Sequence, residues 1–409
     1  MIKSKVLIII PNLGRGGAQR VFHQQLRYLS AWTDVVGCVF NWDGSFLEDH
    51  VENIISLDVP AGRSVFDKIY YFYLRIYRLR KIKCDQKITI CISHLEGADY
   101  VNLLSRTDEK VVCWIHGTKQ HDKNISGFLG FLRFRFLMPI LYKRADRIVC
   151  VSKGIEQELK RNITLKNFRL RTIYNGFDLD MIRLKSSEKV DPAFLSVANN
   201  YRIIVTHCRL SNQKNLGALL HIFKKLDRRD CKLVIIGDGE LLGELLELSR
   251  TLQLKTWDAR RNEEMNSNHD VYFLGHQDNP FKFLSLAYLF AMTSGWEGFP
   301  LALCEAIACG LPVIASDCFT GPREILQPDL KEPQPISKAY DSKFGTLMPI
   351  PDAGDNRVLD LWKQEINRLL NQKRSADHVA DTQARIADFG ISNSNKQTTH
   401  LIEELKYDK

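Results

Sequence analysis

Two carboxylates, Glu297 and Glu305, stand eight residues apart in Ser294-Gly295-Trp296-Glu297-Gly298-Phe299-Pro300-Leu301-Ala302-Leu303-Cys304-Glu305. The apolar run before them, Leu289–Met292, reads as a strand, and Leu301–Cys309 reads as a helix. Pro300 suits the first helical position, where its missing N–H would have no partner anyway. Glu297 then sits in the loop at the C-terminal end of a strand, where open α/β sheets bind ligands. The backbone N–H groups of Leu301 and Ala302 would be unspent and able to meet a diphosphate. Glu305 could accept hydrogen bonds from a ribose diol, and Glu297 from sugar hydroxyls. Taken alone, the pair reads more simply as an acid near a helix start and a second, solvent-facing acid.

A second cluster gives that pair a context. Arg209 follows an apolar run in His207-Cys208-Arg209-Leu210, and Lys214 follows in Gln213-Lys214-Asn215 before a helix. Cations at a strand end and a helix start can neutralise a diphosphate leaving group as its charge develops. Taken singly they are also ordinary surface charges. His116 ends another apolar run, Val111–Ile115, and is either a strand-end histidine with a structural partner or a site residue. Gly14-x-Gly16-Gly17 follows the first apolar run, but its spacing departs from a dinucleotide fingerprint. Asp178-Leu179-Asp180 has the form of a metal-holding pair, yet turn and N-cap acids explain it better. Gly321-Pro322-Arg323-Glu324 follows a strand end and either borders the ligand cleft or is a turn with a helix-start acid.

These residues need a scaffold of strand ends, and the chain supplies one. Short buried-strand runs at Val6–Ile10, Val35–Phe40, Ile88–Ile92, Val111–Ile115 and Arg147–Val151 alternate with helical stretches at Gly17–Leu29, Val65–Arg80, Tyr100–Ser105 and Ile155–Lys160. A polar stretch, Ser186–Asn200, reads as a linker. The alternation restarts with strands Ile203–Cys208, Lys232–Ile236, Val271–Leu274, Tyr288–Met292 and Pro312–Ala315, and helices Leu216–Leu226 and Glu240–Leu252. Lys255–Asp270 reads as a polar surface insertion. The expected architecture is α/β, with two Rossmann-like domains: residues 1–186, a linker at 187–200, residues 201–378, and C-terminal helices at 379–409.

The chain has 409 residues, 44% hydrophobic and 26% charged, which excludes collagen-like and wholly disordered classes. Residues 1–186 hold 30 Lys and Arg against 18 Asp and Glu, a net +12. Residues 187–409 hold 27 against 30, a net −3. The excess basicity lies in the first part and suggests an anionic partner or solvated helix faces. Within 68–83, Ile69, Phe72, Ile76 and Leu79 form one stripe, with Arg75, Arg78, Arg80, Lys81 and Lys83 toward the end. Residues 127–144 add Phe, Leu and Met with Arg133, Arg135, Lys143 and Arg144. Such helices either lie on an anionic membrane surface or pack inward with a solvated rim. No nucleic-acid motif is present, so no nucleic-acid partner is expected. Ten cysteines without a C-x-x-C suggest reduced thiols and no zinc site. No secretory leader or membrane span is expected, which points to a cytoplasmic protein at most peripheral to the inner membrane face.

The joint pattern resembles the retaining GT-B glycosyltransferases of family 4. It rests on Glu297-Gly-Phe-Pro-Leu…Glu305-Ala306, Arg209-Leu210…Gln213-Lys214-Asn215, Tyr174-Asn175-Gly176-Phe177-Asp178 and Gly14-x-Gly16-Gly17-Ala18-Gln19-Arg20. The resemblance implies two domains facing a cleft and a nucleotide-sugar donor, uridine-linked by expectation. It implies a glycan or lipid-linked oligosaccharide acceptor in cell-surface polysaccharide synthesis, held by the first domain. Glu297 and His116 would be catalytic. Arg209, Lys214, Glu305, Gly298, Phe299, Pro300, Leu301, Ala302, Gly16 and Gly17 would bind the donor, with Asn175 and His276 as further cleft residues. No metal and no cofactor would be needed. The resemblance also implies a last helix, around Asn395–Leu405, that crosses back to the first domain. Rival readings are a nucleotide-sugar epimerase or hydrolase of similar fold, an oxidoreductase, and a silent scaffold of a glycan-assembly complex.

Overall fold

The structure is a computed structural model. It describes residues 5–14, 16–42, 53–118, 127–162, 169–261, 263–331, 335–372 and 376–407. Internal contacts divide the chain into one unit of residues 1–176 with 392–409, and another of residues 177–391.

The first unit is built on a parallel sheet. Its strands are β1 (Lys5–Ile10), β2 (Asp34–Val39), β3 (Ile54–Ser56), β4 (Ile90–His94), β5 (Lys110–Ile115), β6 (Arg147–Cys150) and β7 (Leu170–Thr172). They are ordered β3-β2-β1-β4-β5-β6-β7. Val6 to Ile10 are fully buried, because helices cover both faces of such a sheet. The strand order reverses between β1 and β4, which opens a crevice at their C-terminal ends.

The second unit repeats the scheme with β8 (Arg202–His207), β9 (Cys231–Ile236), β10 (Thr256–Asp258), β11 (Val271–Gly275), β12 (Leu289–Met292), β13 (Val313–Ser316), β14 (Tyr340–Ser342) and β15 (Gly345–Met348). Their order is β10-β11-β9-β8-β12-β13-β15-β14, parallel except for the β14–β15 hairpin. Here the reversal falls between β8 and β12. The helix Leu216–Leu226 has the bounds its periodicity predicts, and its Leu219 and Phe223 join Leu359, Trp362 and Ile366 of the helix Asn356–Asn371 in one core.

Several expectations are corrected. The stretch 187–200 is no extended linker: Pro192–Asn200 is a helix, capped by Asp191 and anchored by buried Phe194 and Val197. The contact boundary lies at Gly176/Phe177 instead. The polar segment 255–270 is no mere insertion, since Thr256–Asp258 forms the edge strand beside β11. Short strands β3, β7, β14 and β15 have too few residues for a periodicity signal and come from sheet pairing.

The basic helix, Val65–Asp85, also differs from its sequence reading. It starts with a capping box between Ser64 and Asp67. Its inward face is Tyr71, Phe72, Leu74, Ile76, Leu79 and Ile82, while Ile69 points to solvent. Its cations are mostly spent within the unit. Arg75 donates to the Pro60 carbonyl and lies over the Phe40 ring, Arg78 donates to the carbonyls of Leu57 and Asp58, and Arg80 to that of Arg106. Lys83 is buried. The exposed face is a row of Phe66, Tyr70, Tyr73 and Tyr77, with Lys81 exposed as well. Residues 127–142 form a helix with a π-helical turn at Arg133–Leu137. It exposes Phe131, Phe136, Leu137 and Ile140. Among the described residues no helix is long and apolar enough to cross a membrane.

Candidate functional site

The second unit's sheet brings Lys214 and Glu297 together across its switch point. β8 ends at His207, and its following loop tightens into a 3-10 turn, Asn212–Lys214. β12 ends at Met292, and the loop Thr293–Pro300 leads into the helix Leu301–Ala308. The two loops are joined by hydrogen bonds: Gly295 N–H donates to the Gln213 carbonyl (2.8 Å), and the Thr293 hydroxyl to the carbonyls of Lys214 and Asn215 (3.1 and 3.2 Å). Asn215 holds the turn at φ +51° and fastens it by donating to the Pro351 carbonyl at 2.8 Å.

Lys214 Nζ lies 2.6 Å from Glu297 Oε1, and their side chains are 20% and 6% exposed. The same oxygen accepts from Ser294 Oγ (2.7 Å), and Gln213 Nε2 reaches Glu297 Oε2 at 3.3 Å. Burial pushes the Lys214 ammonium toward losing its proton, but the charge and hydrogen bond of Glu297, together with the nearby thiols of Cys208 and Cys318, outweigh that and leave its pKa above the ordinary value. An ammonium has three donors. One goes to Glu297, and the other two have no hydrogen-bond partner among the described residues.

The Glu297 loop is braced from behind. Thr320 Oγ1 donates to the carbonyls of Glu297 and Gly298, and Ser316 Oγ to that of Ser294 at 2.6 Å. Gly321 holds φ +36°, and a Cβ there would lie 2.5 Å from Pro300 Cδ and 2.7 Å from the Gly298 carbonyl. The Gly321–Glu324 segment is therefore a buttress as well as a helix start, with Arg323 turned onto Asp317. On the other side, a Cβ on Gly237 would lie 1.9 Å from the Cys208 carbonyl, so only glycine lets β9 close on the Arg209 loop. Thr320, Ser294, Gln213 and Gly237 carry no chemistry of their own in the sequence, and only the packing reveals them.

Other predicted residues fall around this pair, with three adjustments. Pro300 is the N-cap, not the first helical residue, and its carbonyl accepts from Leu303 and Cys304. That leaves the Leu301 and Ala302 N–H groups at the helix start, with no side-chain cap. Glu305 is no solvent-facing acid: it is 1% exposed, with His207 Nδ1 3.6 Å away. Arg209 does not join the Lys214–Glu297 cluster; it is exposed and bonds Glu240 at 3.0 Å. Gly298 contributes a carbonyl to Thr320, and Phe299 packs edge-on against Phe389. His276 follows β11 and reaches Asp278 at 3.1 Å. Asp178 is an N-cap that accepts from Met181 N–H at 2.9 Å, and Asp180 faces solvent near Arg183.

The first unit places His116 just after β5. Its Nε2 lies 2.8 Å from Nδ1 of His94, the last residue of β4, and His94 Nε2 lies 3.0 Å from Gln25 Oε1 on the helix Gly17–Ser30. His94 and Gln25 are buried, and no motif in the sequence singled them out. Leu95, immediately after His94, takes φ +72°, a conformation a leucine adopts only under constraint, and so ends the strand abruptly. Burial and the His116 charge push the His94 pKa well below the ordinary value, so His94 is neutral. Gly16 is extended, and a Cβ on Gly17 would meet nothing within 4 Å. Neither glycine is required by backbone conformation, and the helix start at Gly17 is open. Asn175 is buried, its Oδ1 without a hydrogen-bond partner among the described residues.

Comparison with known proteins agrees with this layout. Residues 15–181 match the model of Glycosyltransferase Family 4, and residues 188–332 match that of glycosyl transferases group 1. A protein of Methanocaldococcus jannaschii described as an uncharacterized glycosyltransferase is 31% identical over 356 residues, 80% of this chain and 82% of that one. The N-acetylgalactosamine-N,N'-diacetylbacillosaminyl-diphospho-undecaprenol 4-alpha-N-acetylgalactosaminyltransferase of Campylobacter jejuni is 28% identical, covering 80% of this chain and 84% of that one. Among solved structures, Anabaena HepE in complex with UDP and glucose shares the fold at a TM-score of 0.72 and 16% identity, over 98% of this chain and 100% of that one. With both units matched and a relative above 30% identity over most of both chains, the protein belongs to the group 1, family 4 glycosyltransferases.

Proposed function

We propose that this glycosyltransferase moves a sugar from a nucleotide-sugar donor, uridine-linked, to a glycan or lipid-linked oligosaccharide in cell-surface polysaccharide synthesis. The observation that carries the donor reading is the Lys214–Glu297 pair at the switch point of the second sheet, beside an uncapped helix start. Among the described residues two of Lys214's donors have no partner, which suits a diphosphate, and the Leu301 and Ala302 N–H groups can add to them. Glu297, held by Ser294 and Gln213, would hold hydroxyls of the transferred sugar, and Glu305 those of the ribose. Arg209 would turn from Glu240 to the phosphates. Leaving-group charge would be met by these cations, so transfer would need no metal, and the anomeric configuration would be retained through an oxocarbenium-like state. The acceptor reading is supported by the Campylobacter relative, whose name specifies a diphospho-undecaprenol acceptor.

The test is calorimetry against a panel of nucleotide sugars, followed by mass analysis of products with a lipid-linked acceptor. Binding of a uridine-linked sugar and transfer that survives EDTA support the reading. Free sugar or an isomerised donor as the sole product would replace it with the hydrolase or epimerase. Glycan assembly unchanged by Glu297→Ala and Lys214→Ala would leave a scaffold.

The first unit's exposed aromatic and apolar residues support a peripheral place on an anionic membrane. Phe131, Phe136, Leu137 and Ile140 lie exposed with Arg135, Lys143 and Arg144, an amphipathic composition suited to a bilayer interface. In the helix Val65–Asp85 the relevant face is the Phe66, Tyr70, Tyr73 and Tyr77 row rather than the cations, which the fold has largely engaged. In sedimentation with anionic vesicles, Phe136→Ser with Ile140→Ser should release the protein. Undiminished binding would reject this face as the contact.

A further inference from the structure

The helical segment 127–142 exposes an apolar face, and its opposite face is tied at two points to the end of β4. Arg133 Nη1 lies 3.1 Å from Glu96 Oε1, with the two side chains 11% and 16% exposed. Tyr142 Oη donates to Asp99 Oδ2 at 2.8 Å, and both residues are buried. Glu96 and Asp99 stand in the first turn of the helix Glu96–Leu104, directly after β4 and beside the reversal between β1 and β4. Both carboxylates are also held from their own side. Tyr100 Oη donates to the same Glu96 oxygen, and Ser93 Oγ donates to Asp99 Oδ1 at 2.7 Å.

The π-helical turn makes the two ties compatible. In a regular α-helix each residue turns by about 100°, which would set Arg133 about 140° round from Met138. Here the Met138 N–H donates to the Arg133 carbonyl, an i→i+5 bond that brings Arg133 nearly over Met138. Met138, Leu141 and Tyr142 are buried, so Arg133 joins their inward face. Phe131, Phe136, Leu137 and Ile140 are left outward, among exposed Arg135, Lys143 and Arg144.

We infer that Glu96 and Arg133 are positioning residues for the membrane contact: their ion pair holds the π-helical turn, aims the apolar face at an anionic bilayer and fastens that face to the ligand-binding edge of the first sheet. The inference rests on the peripheral-membrane reading. The occupant is a bilayer surface because cations flank the apolar residues along the segment, the composition of an interfacial helix. Arg133 is mostly buried and turned onto Glu96, so it orients the face and does not meet lipid headgroups.

The test is sedimentation of the full chain with vesicles of equal parts phosphatidylglycerol and phosphatidylcholine. Charge and orientation predict opposite results for Glu96→Gln. That variant removes one negative charge and keeps every cation, so simple attraction to the anionic surface would tighten binding. Loss of the tie should instead weaken it about tenfold, the scale of one charge-assisted contact. Arg133→Met should weaken binding to a similar extent, and Arg133→Lys, which keeps the charge, should recover most of it. Unchanged or tighter binding by folded Glu96→Gln protein overturns the inference, as does Arg133→Met protein that binds like the wild type. If Glu96→Gln does not fold, the contrast between Arg133→Met and Arg133→Lys decides in its place. A wild type that does not sediment with these vesicles removes the membrane reading and the inference with it, whereas a wild type that sediments alongside an equally bound Glu96→Gln removes the inference alone.

Discussion

Two lysine–glutamate pairs of equal length show how differently a fold can use the same contact. Lys83 and Glu109 meet at 2.6 Å in the first unit, with both side chains fully buried. Lys214 and Glu297 meet at 2.6 Å in the second, with the lysine 20% exposed. Lys83 spends all three donors, on Glu109, the Asn102 carbonyl and Asn102 Oδ1. Glu109 is closed too, with its other oxygen taken by Thr107. Lys214 spends one donor on Glu297, and its pair sits at a sheet's switch point. The first pair is a sealed element of a core, and the second keeps lysine donors that have no partner among the described residues. Distance alone does not separate them; unspent hydrogen-bonding capacity does.

The comparison can be broken from either side. Lys83→Met strands a buried carboxylate and should cost about 3–5 kcal/mol of stability, read from urea unfolding. Lys214→Met should cost less than half as much, because Ser294 and Gln213 still serve Glu297. Equal losses would make both pairs structural. For the donor, Lys214→Met should weaken nucleotide-sugar binding by about 10–100-fold in calorimetry, the scale of a charge-assisted hydrogen bond, while Lys83→Met protein that stays folded should bind normally.

A third pair, His94–His116, extends the comparison to two imidazoles. The folded pKa of His94 is depressed, so the unfolded chain binds its proton first as pH falls. The stability this gives is present above the unfolded value near 6.5 and is lost as pH drops from there toward the folded value. Each unit of pH in that window removes at most about 1.4 kcal/mol for this one group. Unfolding midpoints between pH 7 and 5 should therefore fall less steeply in His94→Asn than in the wild type; parallel slopes would show that His94 titrates normally. The smallest effect is expected at the brace. Thr320→Val leaves the carbonyls of Glu297 and Gly298 without that donor and should cost about 1 kcal/mol, with a modest loss of kcat and little change in fold.

The alternation of apolar runs and helical stretches carries the fold, because buried parallel strands must be continuous apolar segments and their crossovers must be helices. The helix Leu216–Leu226 and the strands around it follow that pattern to the residue or nearly so. Edge strands such as Thr256–Asp258 escape it, since three residues paired on one side need no apolar run. The Pro192–Asn200 helix escapes it because its Ser and Asn residues mask Phe194 and Val197. In the candidate site, a strand end followed by a loop and a helix start marks Glu297, Glu305, Arg209 and Lys214 as residues able to do chemistry. Their partners are not marked, because Gln213, Ser294, Thr320, His94 and Gln25 act through contacts that spacing does not encode.

By itself, then, the sequence determined the two α/β units, the strand ends where polar groups collect, and which of those groups can bind or donate. The tertiary structure decided the pairings. It joined Lys214 to Glu297, turned Arg209 onto Glu240, buried Glu305, and set His94 behind His116. The physical reason is range. Periodicity and capping are fixed within a few residues of chain, whereas hydrogen bonds spanning 83 residues, as between Lys214 and Glu297, exist only once a parallel sheet has brought separate strand ends to one edge.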